Sequence, residues 1–171
     1  MKLLKIATVI THLFFMQQLA AQAPAVSTQY SGEEIARMLK AYTASHSRDI
    51  IPSTTLQQKL QADFPRARDI EWETDGNVYE AEFEIRFRDC KAYYDEKANL
   101  LMTVQEIYAS ELPAIVKNAA ESKYPQHRFE DMDKIQRGSE VFYEIEMEQG
   151  EREIKLLVKN DGAILQERTD Y

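Results

Sequence analysis

The feature that most constrains the fold is a pair of segments that pass from helical to strand periodicity in the same way. In the first, Leu56, Leu60 and Phe64 are spaced at every fourth position and Pro65 follows. In the second, apolar residues at helical spacing end at Tyr124, and a proline again follows. Because proline lacks an amide donor and clashes with the preceding turn, it ends each helix. The sequence therefore predicts two helices with equivalent ends.

Alternating apolar and acidic residues follow each helix. The run Tyr79-Glu80-Ala81-Glu82 corresponds to Tyr143-Glu144-Ile145-Glu146, and Leu100 corresponds to Ile164 at the same offset along the chain. A period of two is typical of strands with one buried face. The offset between these runs is slightly larger than the offset between the helix ends, which requires a short insertion in the connecting segment of the second unit. These observations favour a duplicated unit.

The duplication predicts an α+β protein. We expect a tandem repeat of one helix followed by a four-stranded antiparallel sheet, with the helix on one face of the strands. The first repeat covers residues 51–108 and the second covers residues 109–171. Glycines at Asp75-Gly76 and Asp161-Gly162 supply the positive φ that tight turns between strands require.

A third glycine turn predicts the register of one hairpin. A two-residue loop at Gln149-Gly150 would set Tyr143 opposite Leu156, and Glu144 opposite Lys155. In this register one face is apolar and the other pairs opposite charges, which a one-residue slip would destroy.

The start of the chain, residues 1–21, predicts export. This segment combines a basic start, an apolar run and small residues ending at Ala21, the pattern of a secretory signal peptide. The apolar run is shorter than the ~20 residues of a membrane-spanning helix, so we expect cleavage rather than an uncleaved anchor. Residues 22–50 are predicted to form a linker and an N-terminal helix at 31–46. We therefore predict a periplasmic or secreted protein with no membrane insertion after cleavage.

Charge and cysteine content exclude several classes. Lys and Arg number 21 against 29 Asp and Glu, a formal net charge of −8. Binding to nucleic acid or anionic lipid through bulk electrostatics is therefore not expected. The single cysteine, Cys90, excludes an intramolecular disulfide framework. It lies in an alternating stretch, so we predict a buried small hydrophobe, with an intermolecular disulfide as the alternative.

The sequence contains little that could support catalysis. His46 and His127 lie in segments with no common motif, and the nucleophile signatures of hydrolases are missing. The segments Asp131-Met132-Asp133 and Asn160-Asp161-Gly162 offer oxygen ligands without the spacing of a calcium loop. We therefore predict no catalytic residues, no cofactor and no metal site. The protein is not expected to be an enzyme.

Acidic rows with aromatic neighbours form the candidate binding surface. The glutamates of the alternating runs are expected to be exposed to water, on the sheet face away from the helices. Phe142 and Leu157 are expected to face outward among them, and so are Trp72 or its neighbours. Exposed aromatic residues rimmed by charge are typical of protein-binding patches. The candidate protein-binding residues are Trp72, Glu80, Glu82, Tyr93, Phe142, Glu144 and Leu157.

Two alternatives to this surface stay open. The acidic rows could be a solvated face, partly neutralised by Lys91, Lys155 and Lys159. A small-ligand or cation-binding periplasmic protein could instead use acids between the repeats, which would require a closed pocket with convergent polar groups.

The same residues resemble a known family. The segments Ile70-Glu71-Trp72-Glu73 and Tyr79-Glu80-Ala81-Glu82-Phe83, together with Asn160-Asp161-Gly162-Ala163-Ile164-Leu165 in the second unit, are similar to the PepSY-like, β-lactamase-inhibitor-like family of exported proteins, found mainly in Bacteroidetes. The resemblance covers residues 52–171. It rests on the order and spacing of the motifs, since each of them is short.

The resemblance implies a fold and a class of function. The fold would be a tandem repeat whose strands form a curved sheet with the helices packed behind it. The β-lactamase inhibitor protein grips its enzyme with a similar concave sheet, and PepSY modules occur in protease propeptides. The implied function is non-catalytic binding of a protein partner through the exposed sheet face, with an envelope enzyme as one candidate for inhibition. This chain lacks the disulfides of the inhibitor.

Overall fold

The computed structural model describes residues 48–170, so the predicted signal peptide and the predicted helix at 31–46 lie outside the described residues. In chain order the elements are β1 (Arg48–Asp49), α1 (Thr54–Asp63), β2 (Arg68–Asp75), β3 (Val78–Glu84), β4 (Asp89–Asp95), β5 (Leu100–Glu106), a 3₁₀ turn (Ala109–Glu111), α2 (Ala114–Lys123), β6 (Arg128–Arg137), β7 (Glu140–Gln149), β8 (Arg152–Lys159) and β9 (Ile164–Asp170).

The strands form one antiparallel sheet in chain order, from β1 to β9. Each described strand pairs with the next, and within residues 48–170 β1 and β9 are the two edges, so the sheet is not closed. The two repeats are joined by β5 and β6, whose pairs run from Thr103 opposite Gln136 to Glu106 opposite Asp133. The predicted α+β class and strand count are therefore confirmed for β2–β9, although the eight strands form one continuous sheet. The two-residue β1 was not predicted.

A side-chain cap begins α1, and equivalent local signals end both helices. The Ser53 hydroxyl accepts a hydrogen bond from the amide of Leu56, which caps the start of α1. At the C-terminal end, Phe64 has φ −131° and Tyr124 has φ −128°. Each is the residue before a proline, for which an extended backbone is favoured. The predicted aromatic-proline helix ends are confirmed.

Each helix packs over the strands that follow it. The buried residues around α1 are Leu56, Leu60, Trp72, Ala81, Phe83, Cys90, Ala92, Tyr94, Ala98 and Leu100. Those around α2 are Ile107, Leu112, Val116, Ala120, Met132, Tyr143, Ile145, Met147, Ile154, Leu156 and Val158. Burial of Cys90 is confirmed, and it raises the pKa of the Cys90 thiol to about 11.

Both helices lie on the same side of the sheet. Directly paired residues share a face, and Ala92 pairs with Thr103, Thr103 with Gln136, and Gln136 with Val141. Ala92 belongs to the core under α1, and Val141 packs against the core under α2. The row therefore connects the two cores across one face.

Strand pairing confirms the duplication. Glu82 pairs with Lys91 in the first repeat, and their sequence equivalents Glu146 and Lys155 pair in the second. The bulge between Tyr93 and Tyr94 likewise recurs at the equivalent position of the second repeat, between Leu157 and Val158. Tyr79 and Tyr143 both pack on the helix side.

The predicted insertion lies at a hairpin. The β2–β3 pairing extends from Arg68 opposite Glu84 to Asp75 opposite Val78. The β6–β7 pairing begins at the equivalent pair, Arg128 opposite Glu148, and extends to Arg137 opposite Glu140. The second hairpin is thus longer by two residues in each strand.

The predicted β7–β8 register is wrong by two residues. Tyr143 pairs with Val158 rather than Leu156, and Glu144 with Leu157 rather than Lys155. The loop consists of Gly150 and Glu151, so glycine is its first residue and has φ +65°. A shift of two keeps every side chain on its predicted face, so face patterning could not distinguish the registers.

Candidate functional site

The face of the sheet opposite α1 and α2, here called the distal face, has its own apolar cluster. Tyr93, Leu101, Met102 and Ile135 are buried in this central cluster, and Val78, Val104, Phe142 and Leu157 are partly buried against it. One row of paired residues, Val104, Ile135 and Phe142, crosses from β5 to β7. The central cluster therefore draws on strands of both repeats.

Three predicted residues meet in the central cluster. Tyr93, Phe142 and Leu157 belong to it, although Tyr93 is buried rather than exposed. Ile135, which pairs directly with Phe142, was not predicted from the sequence. Its position in the alternation of β6 is the signal that could have located it. Burial raises the pKa of Tyr93 well above its usual range, and the carboxylates of Glu80 and Glu82 raise it further.

Of the two expectations, that Trp72 or its neighbours face outward, the one for Trp72 itself is wrong. Trp72 is 8% exposed and lies in the core under α1, with its ring centroid 6.0 Å from that of Tyr94. It pairs with Ala81, a core residue, so it must point to the helix side. Its neighbours Glu71 and Glu73 consequently face the other way. Trp72 is not brought to the distal face.

The expectation that Glu80 stands in water is also wrong. Glu80 is 3% exposed because it pairs with Tyr93 and lies beside the central cluster. The Lys91 Nζ lies 3.2 Å from Glu80 Oε1 and 3.2 Å from Glu82 Oε2. Burial by itself lowers the pKa of Lys91, but these two carboxylates raise it overall. Glu80 Oε2 accepts no hydrogen bond within residues 48–170.

The other two predicted glutamates are accessible. The side chain of Glu82 is 51% exposed and that of Glu144 is 40% exposed. Within the described chain Glu144 forms a long ion pair, in which Arg168 Nη2 lies 3.9 Å from its carboxylate. Both glutamates border the central cluster and retain contact with solvent.

A row of three carboxylates, those of Glu106, Asp133 and Glu144, crosses the distal face. Asp133 pairs with Glu106 on one side and with Glu144 on the other. Burial raises the pKa of Asp133 to about 6, and the nearby carboxylates of Asp131 and Glu144 add to this rise. From the sequence Asp133 was a candidate cation ligand only, and its place in this row was not predicted.

The chemistry of this face favours binding of cationic and apolar groups. Within residues 48–170, no group of three or more His, Cys, Asp or Glu side chains has an arrangement suited to a metal ion. The central cluster presents half-buried Phe142 and Leu157, and the acids around it present negative charge. A surface of this kind complements a positively charged protein segment that carries apolar side chains.

The fold defines an α+β protein of two helix-and-strand repeats on one continuous open sheet. The chain belongs to the family described as "Putative beta-lactamase-inhibitor-like, PepSY-like", whose profile matches residues 37–102 and 91–166. The two matches confirm the resemblance seen in the sequence and the presence of two PepSY-like repeats. No curated protein sequence matches the chain.

Solved structures support the same assignment. A BLIP-like protein from Bacteroides fragilis is 28% identical, with a TM-score of 0.60 over 70% of this chain and 87% of that one. A structure from Bacteroides eggerthii, described as a putative periplasmic protein, shares the fold at 19% identity, with a TM-score of 0.65 over 70% of this chain and 90% of that one. In the described part of this chain, neither helix has the length and apolar character needed to span a bilayer.

Proposed function

We propose that this chain is an exported, non-catalytic protein that binds a positively charged protein partner through the distal face. The observation that carries the proposal is the central cluster, which is built from both repeats and bordered by carboxylates. Membership of a family named for an inhibitor protein supports a binding role. We further propose periplasmic or secreted localisation after removal of residues 1–21, and repeats at 51–108 and 109–171.

Charge complementarity decides the chemistry of the partner. The formal net charge is −8, and Glu82, Glu144, Glu106 and Asp133 concentrate acidic groups around the central cluster. Like charges on a partner would be repelled at close range, whereas Lys and Arg side chains would be attracted. Phe142 and Leu157 then supply the apolar contact that a specific interface needs at its centre. An envelope enzyme with a basic surface is the partner class we favour.

The test compares two charge reversals of equal size. The mature chain is used to capture and identify a partner from a Bacteroides envelope extract, and binding of the purified partner is then measured. E82K/E144K is expected to weaken binding by roughly tenfold or more. E96K/E121K makes the same change in net charge at exposed positions in the β4–β5 turn and on α2, and should change binding less than about twofold.

Different results would overturn the proposal. Equal loss of binding in both double variants would mean that net charge, and not the distal face, governs association. A concentration-dependent rise in Tm with Ca²⁺, together with no captured partner, would instead favour the small-ligand or cation-binding alternative.

A further inference from the structure

The hairpin between β3 and β4 has an unusual turn. Ile85 and Arg88 exchange backbone hydrogen bonds of 3.0 and 3.2 Å, which leaves Arg86 and Phe87 as a two-residue loop. Arg86 has φ +55° and Phe87 has φ +63°. A turn with positive φ at both central residues is normally made by Asn-Gly or similar pairs, because a bulky side chain is strained there.

The strain is not offset by burial within the described chain. The Phe87 side chain is 92% exposed, although a phenyl ring gains most from being removed from water. Arg86 is also exposed and forms no ion pair with any residue of the 48–170 segment. Residues held in sparsely populated backbone conformations concentrate at functional sites. The turn therefore presents an aromatic ring and a guanidinium at a conformational cost.

Hydrogen bonds and a cation–π contact hold the base of the turn in place. Arg88 Nη1 donates to Glu111 Oε1 at 3.0 Å, and the backbone amide of Tyr108 donates to Glu111 Oε2 at 3.0 Å. These two contacts lower the pKa of Glu111 below its usual range. The Arg88 guanidinium also stacks over the Tyr108 ring, 4.4 Å from its centroid. Tyr108 itself is 58% exposed. The hairpin is thereby fixed to the segment that connects the two repeats.

We propose that Arg86, Phe87, Arg88 and Tyr108, here called the aromatic tip, are a binding anchor that inserts into an apolar pocket of a protein partner. Aromatic rings and arginines are the residues most enriched at the energetic centre of interfaces. A preorganised support reduces the entropy lost when they bind. The guanidinium of Arg86, which forms no ion pair within residues 48–170, calls for a carboxylate at the rim of that pocket.

This inference does not depend on the proposed function, since the aromatic tip lies at the end of the β3–β4 hairpin and not among the distal-face residues. A lipid surface is the competing occupant, because Phe and Arg also occur in membrane-surface anchors. The protein pocket is favoured since the formal net charge of −8 opposes adsorption to anionic lipid. Glu84 and Asp89 form the strand pair next to the turn, and their negative charges also disfavour adsorption to anionic lipid.

The experiment places a photo-crosslinking phenylalanine analogue at position 87 of the full chain in a native envelope fraction. The matched control carries the analogue at position 151, the equivalent loop position of the β7–β8 hairpin. Cross-linked proteins are identified and the linked residues mapped. Binding of the purified partner is then compared between the natural loop and R86N/F87G. Sedimentation with phosphatidylcholine–phosphatidylglycerol vesicles tests the lipid occupant.

The expected result has three parts. Position 87 cross-links into an apolar pocket bordered by Asp or Glu, and position 151 does not. R86N/F87G weakens binding by roughly tenfold or more. The same variant raises Tm by about 5 °C, so lost binding cannot be ascribed to misfolding. Equal cross-linking at both positions, unchanged affinity of R86N/F87G, or vesicle binding that this variant abolishes would each overturn the proposal. E82K/E144K leaves the aromatic tip intact, so failure of either proposal can be recognised separately.

Discussion

The β3–β4 and β7–β8 hairpins occupy equivalent positions in the two repeats, yet their turns are built differently. Arg86 corresponds to Gly150, and Phe87 corresponds to Glu151. In the second hairpin the positive φ of +65° belongs to Gly150, which tolerates it freely. The fold therefore does not require strained side chains at this turn. Because each left-handed non-glycine residue costs about 1–2 kcal/mol, the first hairpin gives up stability that the second retains.

The first prediction tests whether the two repeats unfold as one unit, and it carries the largest effect. Leu60 on α1 is fully buried and corresponds to Ala120 on α2. L60A is expected to lower the free energy of unfolding by about 3 kcal/mol, through lost burial and the resulting cavity. Urea unfolding would be followed by the fluorescence of Trp72, the single tryptophan, and by far-ultraviolet circular dichroism.

The two signals should change together in L60A. Trp72 reports on the first repeat, whereas circular dichroism reports on both, and the continuous β5–β6 pairing should couple them. I115A removes an exposed side chain from α2 and should change stability by less than about 0.5 kcal/mol. A tryptophan transition at lower urea than the dichroism transition would show that the repeats unfold independently.

The second prediction compares two equivalent lysines. Lys91 lies between buried Glu80 and exposed Glu82, whereas Lys155 lies between Glu146 and Glu153, neither of which is as buried as Glu80. K91M is expected to cost about 2 kcal/mol, because it leaves the Glu80 carboxylate buried without its cation. K155M should cost less than about 1 kcal/mol, the range of exposed ion pairs. Thermal or chemical unfolding measures both.

A second substitution isolates the cause of the K91M effect. E80Q removes the charge but keeps the shape, so E80Q/K91M should recover most of the stability that K91M loses. Failure to recover it would mean that Lys91 stabilises the sheet through its aliphatic stem rather than its charge.

The third prediction exchanges the turn chemistry of the two hairpins. R86N/F87G should raise the free energy of unfolding by about 1–2 kcal/mol, since Asn and Gly accept positive φ. G150R should lower it by about 1–2 kcal/mol for the opposite reason. Calorimetric Tm values of the two variants give the comparison. Two shifts of the same sign would show that the backbone conformation does not account for the difference between the turns.

Features set by neighbours along the chain could be predicted from the sequence, whereas features set by contacts between strands could not. Helix ends at Phe64 and Tyr124, the equivalence of the strands in the two repeats and the positive φ of Gly150 were predicted because local chemistry determines them. The β7–β8 register was not, because two registers place Tyr143 and Ile145 on the same face. The Arg86-Phe87 turn could not be predicted, since neither residue favours a left-handed backbone.

The surface predictions failed where neighbours on other strands decide burial. Glu80 belongs to an alternating acidic run, and nothing in that run separates it from Glu82. Glu80 differs because it pairs with Tyr93, a buried residue of the central cluster. Trp72 is different, because its position between two glutamates indicates an inward side chain.

The last prediction uses the pair Asp133–Glu144, which corresponds to Glu73–Glu80 in the first repeat. The pKa of Asp133 is raised to about 6 in the folded chain, against about 3.9 when unfolded. Between these values the folded state binds more protons, so this group lowers stability as the pH rises, and its full penalty applies above pH of about 6. D133N should therefore stabilise the protein at neutral pH by about 1 kcal/mol after solvent screening.

The gain from D133N should shrink as the pH falls and vanish below pH of about 4, where Asp133 is protonated in both the folded and the unfolded states. Urea unfolding of the natural chain and of D133N across this range measures the difference. D131N changes the more exposed neighbouring acid and should give a smaller gain. A D133N effect that is independent of pH would show that it arises from packing or hydrogen bonding. The negative charge of Asp133 would then cost no stability, as expected for the Glu80 carboxylate that is paired with Lys91 in the first repeat.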